Sequence, residues 1–284
     1  MAQNVTTTLK ALAFVALIGA AFAFAAKHGI AVVAPSAVPR GTSLVAAVVI
    51  AMQAVIYSFD GWTGAIYFSE EVRDPGRSIP RATFGGLLAV VAFYLLINAA
   101  FVIVIPLPRL AGEPLAAGAV AHAIFGEHGD TVIRVIIVLA LPSFVNAVMP
   151  MASRVLFSMS RDGLAPRWAE RVNAGGTPTT ALFASAAVAL LFLFTGAVEA
   201  VIAVLSFLFV ATYSISFASV FVLRKREPER ERPYRARGHP WTTGIMLAGS
   251  IAFLAGSVAS DARNGLIAAG LVVLSYPAFL LIKR

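Results

Sequence analysis

The sequence predicts an all-α integral membrane protein, and three observations support this fold class. Hydrophobic residues make up 59% of the 284 residues, whereas charged residues make up only 13%. The mean hydropathy is +0.85, and a soluble domain of this size has too little interior for that much apolar side chain. The apolar residues fall into about eight runs, each long enough for a helix that crosses a bilayer.

The predicted spans alternate with loops that are rich in charge, proline and glycine. They cover residues 9–26, 43–68, 84–105, 132–159, 180–195, 198–223, 241–260 and 265–282. A further short helix over 115–125 is expected to lie at the membrane interface. Lysine and arginine concentrate on the side that holds both chain ends, above all in the loop 224–237. This asymmetry predicts a multi-pass protein of the plasma or inner membrane with both termini cytoplasmic.

Composition and motifs exclude several other classes of function. Cysteine is absent, which excludes disulfides and thiol chemistry, and the net charge is +8. In a membrane protein, basic loops favour contact with anionic lipid headgroups rather than nucleic acid. The four histidines (His28, His122, His128 and His239) are dispersed, so no metal site is expected. Nucleotide-binding and metalloprotease motifs are missing, so we expect neither a cofactor nor an enzyme.

The second span contains the stretch Tyr57-Ser-Phe-Asp-Gly-Trp62, in which a carboxylate and a glycine interrupt an apolar run. A carboxylate inside a membrane span costs about 2.5–3.5 kcal/mol, so it usually faces a cavity or a partner. Glycine weakens a helix by roughly 1 kcal/mol relative to alanine. We therefore predict that the helix is interrupted over Ser58–Gly61 and that the backbone there could bind a small polar ligand. The alternative is a kinked helix that packs closely through its glycines.

Two long motifs resemble those of the amino acid–polyamine–organocation permeases. The first is Ser58-Phe-Asp-Gly-Trp62 followed by the charged stretch 69–82, which is similar to the sixth helix of that family and its exit loop. The second runs from Asn146 to Pro166 and resembles the eighth helix. The stretch 8–13, which contains Lys10, is similar to the fifth helix.

The resemblance implies one permease domain over 1–284, the C-terminal portion of the family fold from its fifth helix to its twelfth. The family has a leucine-transporter-like fold, in which two inverted five-helix repeats precede two further helices. Residues 9–26 would then be the last helix of the first repeat. Residues 43–223 would form the second repeat, with its discontinuous helix, and 241–282 the additional pair.

The resemblance also implies roles for individual residues around the break. The carbonyls of Tyr57, Ser58 and Asp60 would face the substrate amine, and Phe59 and Gly61 complete that segment. Tyr57 would cover the substrate or simply pack as an aromatic residue. Asp60 could favour a cationic substrate, titrate, or cap the second half of the helix.

Two residues outside the break are further candidates. Asn146 could line the cavity or hydrogen-bond across helices. Lys10 would take the place of a bound cation, as in sodium-independent members, or else anchor the end of a span.

The predicted function is therefore secondary-active transport of an amino acid or related amine, by symport or exchange with protons or a counter-substrate. The segment that binds the substrate carboxylate in the family belongs to its first helix, which has no match here. We thus expect the chain to be inactive alone, and another chain could supply the missing helices. The alternative is a truncated binding or scaffold protein of the membrane that transports nothing.

Overall fold

A computed structural model describes residues 2–31, 43–64, 66, 72–111, 113–196, 198–232 and 234–282. The chain forms ten α-helices in these ranges, and 3₁₀ turns over 62–64 and Arg167–Glu170. The helices are α1 (Ala2–His28), α2 (Leu44–Phe59), α3 (Pro75–Val104), α4 (Leu107–Leu110), α5 (Ala116–Phe125), α6 (Glu127–Arg161), α7 (Thr179–Thr195), α8 (Val198–Arg226), α9 (Trp241–Ser260) and α10 (Ala262–Ile282).

The described residues confirm the all-helical membrane fold. Seven of their helical segments are long and apolar enough to cross a bilayer, namely 8–28, 44–64, 75–104, 127–161, 198–226, 241–260 and 262–281. The remaining predicted span corresponds to α7, which has 17 residues. At 1.5 Å per residue this helix is about 26 Å long, the lower limit for a span.

The predicted third span is part of a longer helix. Helix α3 begins at Pro75, nine residues before the apolar run, so Pro80 lies inside the helix. Asp74 adopts a φ of +50°, and its carbonyl oxygen accepts the amides of Arg77 and Ser78. Proline suits the first helical position because its missing amide would have no partner there. Residues 32–42 and 67–71, which include part of the first motif, lie outside the described residues.

The chain divides into two compact units. The first unit comprises residues 1–37 and 84–150. Its core brings Leu17 of α1, Ile105, Val120 of α5 and Ile133 of α6 together. Val120 is completely buried, so α5 packs into this unit; its position relative to a membrane interface stays a prediction.

The second unit comprises residues 38–83 and 151–284, and it contains the predicted break. Helices α2, α8, α9 and α10 pack against one another in it. Val49 of α2, Val210 of α8 and Phe253 of α9 form one buried cluster. A Cβ atom on Gly256 of α9 would lie 2.8 Å from Val49 Cγ2, so the absence of a side chain lets α2 and α9 approach closely.

Candidate functional site

Helix α2 ends within the segment where the sequence predicts an interruption. The α-helix ends at Phe59, and Asp60 leaves it with extended dihedrals (φ −64°, ψ 152°). Gly61 has a φ of +111°, and residues 62–64 form a 3₁₀ turn, in which the Gly64 amide donates to the Gly61 carbonyl at 2.9 Å. The break is therefore at Asp60–Gly61. Ser58 lies in the last helical turn and donates its hydroxyl to the Ala54 carbonyl at 2.8 Å.

The two glycines of this segment serve different purposes. A Cβ atom on Gly61 would meet nothing within 4 Å, so Gly61 is required by its φ, which residues with a side chain rarely adopt. A Cβ atom on Gly64 would lie 2.8 Å from Met151 Cε. Close packing thus explains Gly64, whereas Gly61 permits the interruption itself.

Asp60 has a hydrogen-bond partner that the sequence does not predict. The hydroxyl of Tyr213 on α8 donates to Asp60 Oδ1 at 2.5 Å across 153 residues of sequence. In the described part of the chain, the Asp60 carboxylate accepts no backbone amide, so the expected cap of the second half-helix is not observed. No motif spacing links Asp60 to Tyr213, and only the packing of α2 on α8 brings them together.

The aromatic residues of the segment differ in their surroundings. The Trp62 ring lies against the Tyr213 ring, with centroids 5.4 Å apart and planes inclined by 47°. Tyr57 remains 45% exposed, as a residue that covers a ligand would be, although a lipid-facing tyrosine would be equally exposed. The substrate-binding roles of Tyr57, Ser58 and Phe59 stay predictions.

A buried polar cluster anchors α2 before the break. Gln53 donates its side-chain amide to the Ser257 hydroxyl of α9 at 3.1 Å. The Ser206 hydroxyl of α8 donates to the Gln53 carbonyl at 3.1 Å. All three side chains are buried. These bonds fix α2 to two neighbours about two turns before it ends.

Lys10 and Asn146 both belong to the first unit, whereas the break belongs to the second. Lys10 is half-buried within α1 and donates to the Ala140 carbonyl of α6 at 2.9 Å. It makes no ion pair with any other residue that the structure describes. The Lys10 ammonium therefore contacts the backbone of α6, and its role in the place of a cation or as an anchor of the span stays a prediction. The Asn146 side chain is exposed on α6 and makes no hydrogen bond in the described ranges, so the alternative of a bond across helices is not observed.

Within the ranges that the structure covers, no group of three or more His, Asp or Glu side chains could hold a metal ion. The functional groups that the break offers are the Asp60 carboxylate and the backbone at the C-terminal end of α2. A helix that stops leaves the carbonyls of its last turn to find partners other than the helical ladder. This end also carries the negative pole of the helix dipole. The arrangement therefore suits an organic cation or an ammonium group.

Comparison with known proteins gives one family match and several relatives. Residues 1–275 match the model of a protein family described as amino acid permease. The serine/threonine exchanger SteT of Bacillus subtilis (strain 168) is 28% identical over 220 residues, which cover 75% of this chain and 50% of the exchanger. A probable polyamine transporter of Arabidopsis thaliana is 26% identical over 250 residues, covering 81% of this chain and 49% of that protein.

A third relative is the large neutral amino acids transporter small subunit 2 of Homo sapiens, which is 32% identical over 184 residues. These residues cover 63% of this chain and 34% of that transporter. The chain spans about half the length of the first two relatives and 34% of the length of the third. Because the family model matches nearly the whole sequence, this multi-pass membrane protein belongs to the amino acid permease family.

Proposed function

We propose that this chain forms the part of a secondary-active permease that holds the amine end of an amino acid or a related amine. The observation that carries this proposal is the end of α2 at Asp60–Gly61, within an apolar span. Family membership and the names of the relatives, which include a serine/threonine exchanger and a probable polyamine transporter, support this class of substrate. The proposed activity is the movement of a solute rather than a chemical reaction.

The proposed substrate contacts follow from hydrogen-bond chemistry. An ammonium has three donors and no acceptor, so it needs several oxygen atoms in one place. The carbonyls of Tyr57, Ser58 and Asp60 would supply them at the end of α2, and the exposed ring of Tyr57 would cover the substrate. Asn146 would line the pathway from α6. Each of these roles is part of the proposal.

Lys10 would provide a fixed positive charge in place of a coupling cation. Its ammonium already rests on the main-chain carbonyl of Ala140, and carbonyl oxygens are the ligands that a hard cation prefers. Transport would then be driven by protons or a counter-substrate, as symport or exchange.

The proposed organisation places 9–26 as the last helix of one repeat, 43–223 as the second repeat and 241–282 as two additional helices. Both termini would face the cytoplasm, in the plasma or inner membrane, with basic loops against anionic lipids. Alternating access requires one repeat to move against the other. Uptake would therefore need further helices, on the same polypeptide or on another chain.

The test is uptake of labelled amino acids and amines into proteoliposomes. The 284-residue chain alone should insert but show no saturable uptake. Fusing the N-terminal helices of a full-length relative ahead of residue 1, or adding them as a second chain, should produce uptake. Gly61→Ala should then abolish it through backbone strain at a φ of +111°, whereas Gly176→Ala, at a φ of +77° in an extramembrane loop, should preserve it.

Three outcomes would contradict parts of the proposal. Saturable uptake by the chain alone would show that it holds a complete site. No uptake in any combination, together with stable capture of a membrane partner, would favour the binding or scaffold alternative. Reporter fusions after residues 120 and 232 should report opposite sides of the membrane, and the same side for both would refute the topology.

A further inference from the structure

Helices α2 and α8 are joined by two hydrogen bonds with matching spacing. Ser206 of α8 donates to the carbonyl of Gln53, and Tyr213 of α8 donates to the carboxylate of Asp60. From the first bond to the second, the bonded residue on each helix lies seven positions further along the chain. Seven residues are about two turns, or 10.5 Å, along a helix. The two helices therefore run side by side in the same direction, and the second bond falls where α2 ends.

Tyr213 contacts the chain on both sides of Gly61. Its hydroxyl binds the Asp60 carboxylate just before the glycine, and its ring lies 5.4 Å from the Trp62 ring just after it. Tyr213 and Asp60 are both half-buried. A phenol that donates to a carboxylate makes a charge-assisted bond, which is shorter and stronger than a bond between neutral groups.

Gly61 needs such a contact because its own backbone does not fix the angle of the break. Glycine reaches many φ and ψ combinations at similar energy, and a Cβ atom at Gly61 would meet no neighbouring atom. The direction of the chain after the break must therefore be set by contacts of the flanking residues. In the described part of the chain, the side-chain bond of Asp60 is the one to Tyr213.

We propose that Tyr213 is a positioning residue of this permease, because it clamps Asp60 and Trp62 and thereby fixes the conformation of Gly61. The clamp sets the direction in which the last carbonyls of α2 point, and so it acts on the substrate amine only through the backbone. This inference rests on the proposed function for its link to transport. The clamp itself is a property of α2 and α8 and can be tested without uptake.

The absence of cysteine from the sequence makes the test direct. Thr63→Cys places the only thiol of the chain just after the break, at a half-buried position. In proteoliposomes, the rate at which a charged methanethiosulfonate reagent labels this thiol measures how often the thiol becomes accessible to water. Tyr213→Phe removes the hydroxyl and keeps the ring, and it should raise the labelling rate by about tenfold or more, as expected for loss of one hydrogen bond to a charged group.

The matched control is Tyr276→Phe on α10, which also deletes one phenol hydroxyl. The described contacts of Tyr276 are limited to its ring, which stacks on Phe279, so its labelling rate should match that of the parent. Asp60→Ala should raise the rate as much as Tyr213→Phe. Asp60→Asn keeps an acceptor oxygen and should restore much of the protection. The double variant Asp60→Ala/Tyr213→Phe should be no faster than either single variant.

A spectroscopic measurement gives a second readout. The chain has three tryptophans, so Trp168→Phe/Trp241→Phe leaves Trp62 as the only indole. Its emission should shift to longer wavelength in Tyr213→Phe and remain unchanged in Tyr276→Phe. Unchanged labelling and emission in Tyr213→Phe, or additive effects in the double variant, would overturn the clamp. If the clamp is confirmed but the completed permease shows no uptake, the proposed function fails by itself.

Discussion

The close approach of α2 and α9 at Gly256 yields a prediction whose size follows from the structure. In Gly256→Ala the new Cβ atom would lie 2.8 Å from Val49 Cγ2, closer than such atoms come in proteins. The valine cannot easily move away, because its branched side chain has one preferred rotamer in a helix and is buried. Inserting a methyl group into such a core typically costs about 1–3 kcal/mol.

Gly249 provides the matched control, since it lies on the same helix, seven residues and thus about two turns earlier. A Cβ atom there meets nothing within 4 Å. Both substitutions gain the same helix propensity, about 1 kcal/mol in each case, so this gain cancels when the two variants are compared. Gly256→Ala should therefore be about 1–3 kcal/mol less stable than Gly249→Ala.

The assay is equilibrium unfolding by SDS in mixed micelles, followed by circular dichroism. Adding Val49→Ala should relieve the clash, so that the two substitutions together cost less than the sum of their separate effects. Equal stability of Gly256→Ala and Gly249→Ala would refute the reasoning, because α2 and α9 would then not approach closely in the folded protein. Since α2 carries the break, the loss of this contact should also weaken any substrate binding.

Three further predictions concern polar groups away from the break. Lys10→Met removes the donor to Ala140 and should lower stability by about 0.6 kcal/mol, the average for a hydrogen bond inside a membrane protein; the same SDS titration measures it. Arg232→Met removes a guanidinium that donates to the Leu223 carbonyl in the last turn of α8 and to the carbonyls of three residues just after that helix, and it should speed hydrogen exchange at the end of α8 severalfold. The pKa of His239 is lowered below its usual 6.5, first by burial and then by the positive charge of Arg224. Because the unfolded chain binds that proton more readily, stability should fall as the pH drops below about 6.5. His239→Gln should remove this part of the pH dependence of the unfolding midpoint.

The all-helical class and the positions of the long apolar helices could be predicted from the sequence, because burial in lipid requires long apolar runs whose backbone is satisfied internally. The short helix α4, with four residues, has no such run and was not predicted. The order of the spans and the site of the interruption followed from the same logic. The apolar pattern did not predict where each helix begins and ends. Pro75 starts α3 nine residues before the apolar run begins, since turn geometry at Asp74 rather than hydropathy decides where that helix starts.

The sequence by itself predicted an interruption of an apolar helix within Ser58–Gly61, because a carboxylate and a glycine stand next to each other there and each weakens a helix. The structure places the end of the helix at Phe59. Only the tertiary structure decided which distant residues contact α2, the segment after it and Lys10 of α1. Tyr213 meets Asp60 across 153 residues, Lys10 meets Ala140 across 130, and Gln53 meets Ser257 across 204. Such pairs depend on the rotation of each helix about its axis and on its position along the helix that it packs against. Local periodicity fixes which face of a helix is apolar, but it does not fix which residue of a distant helix that face will meet.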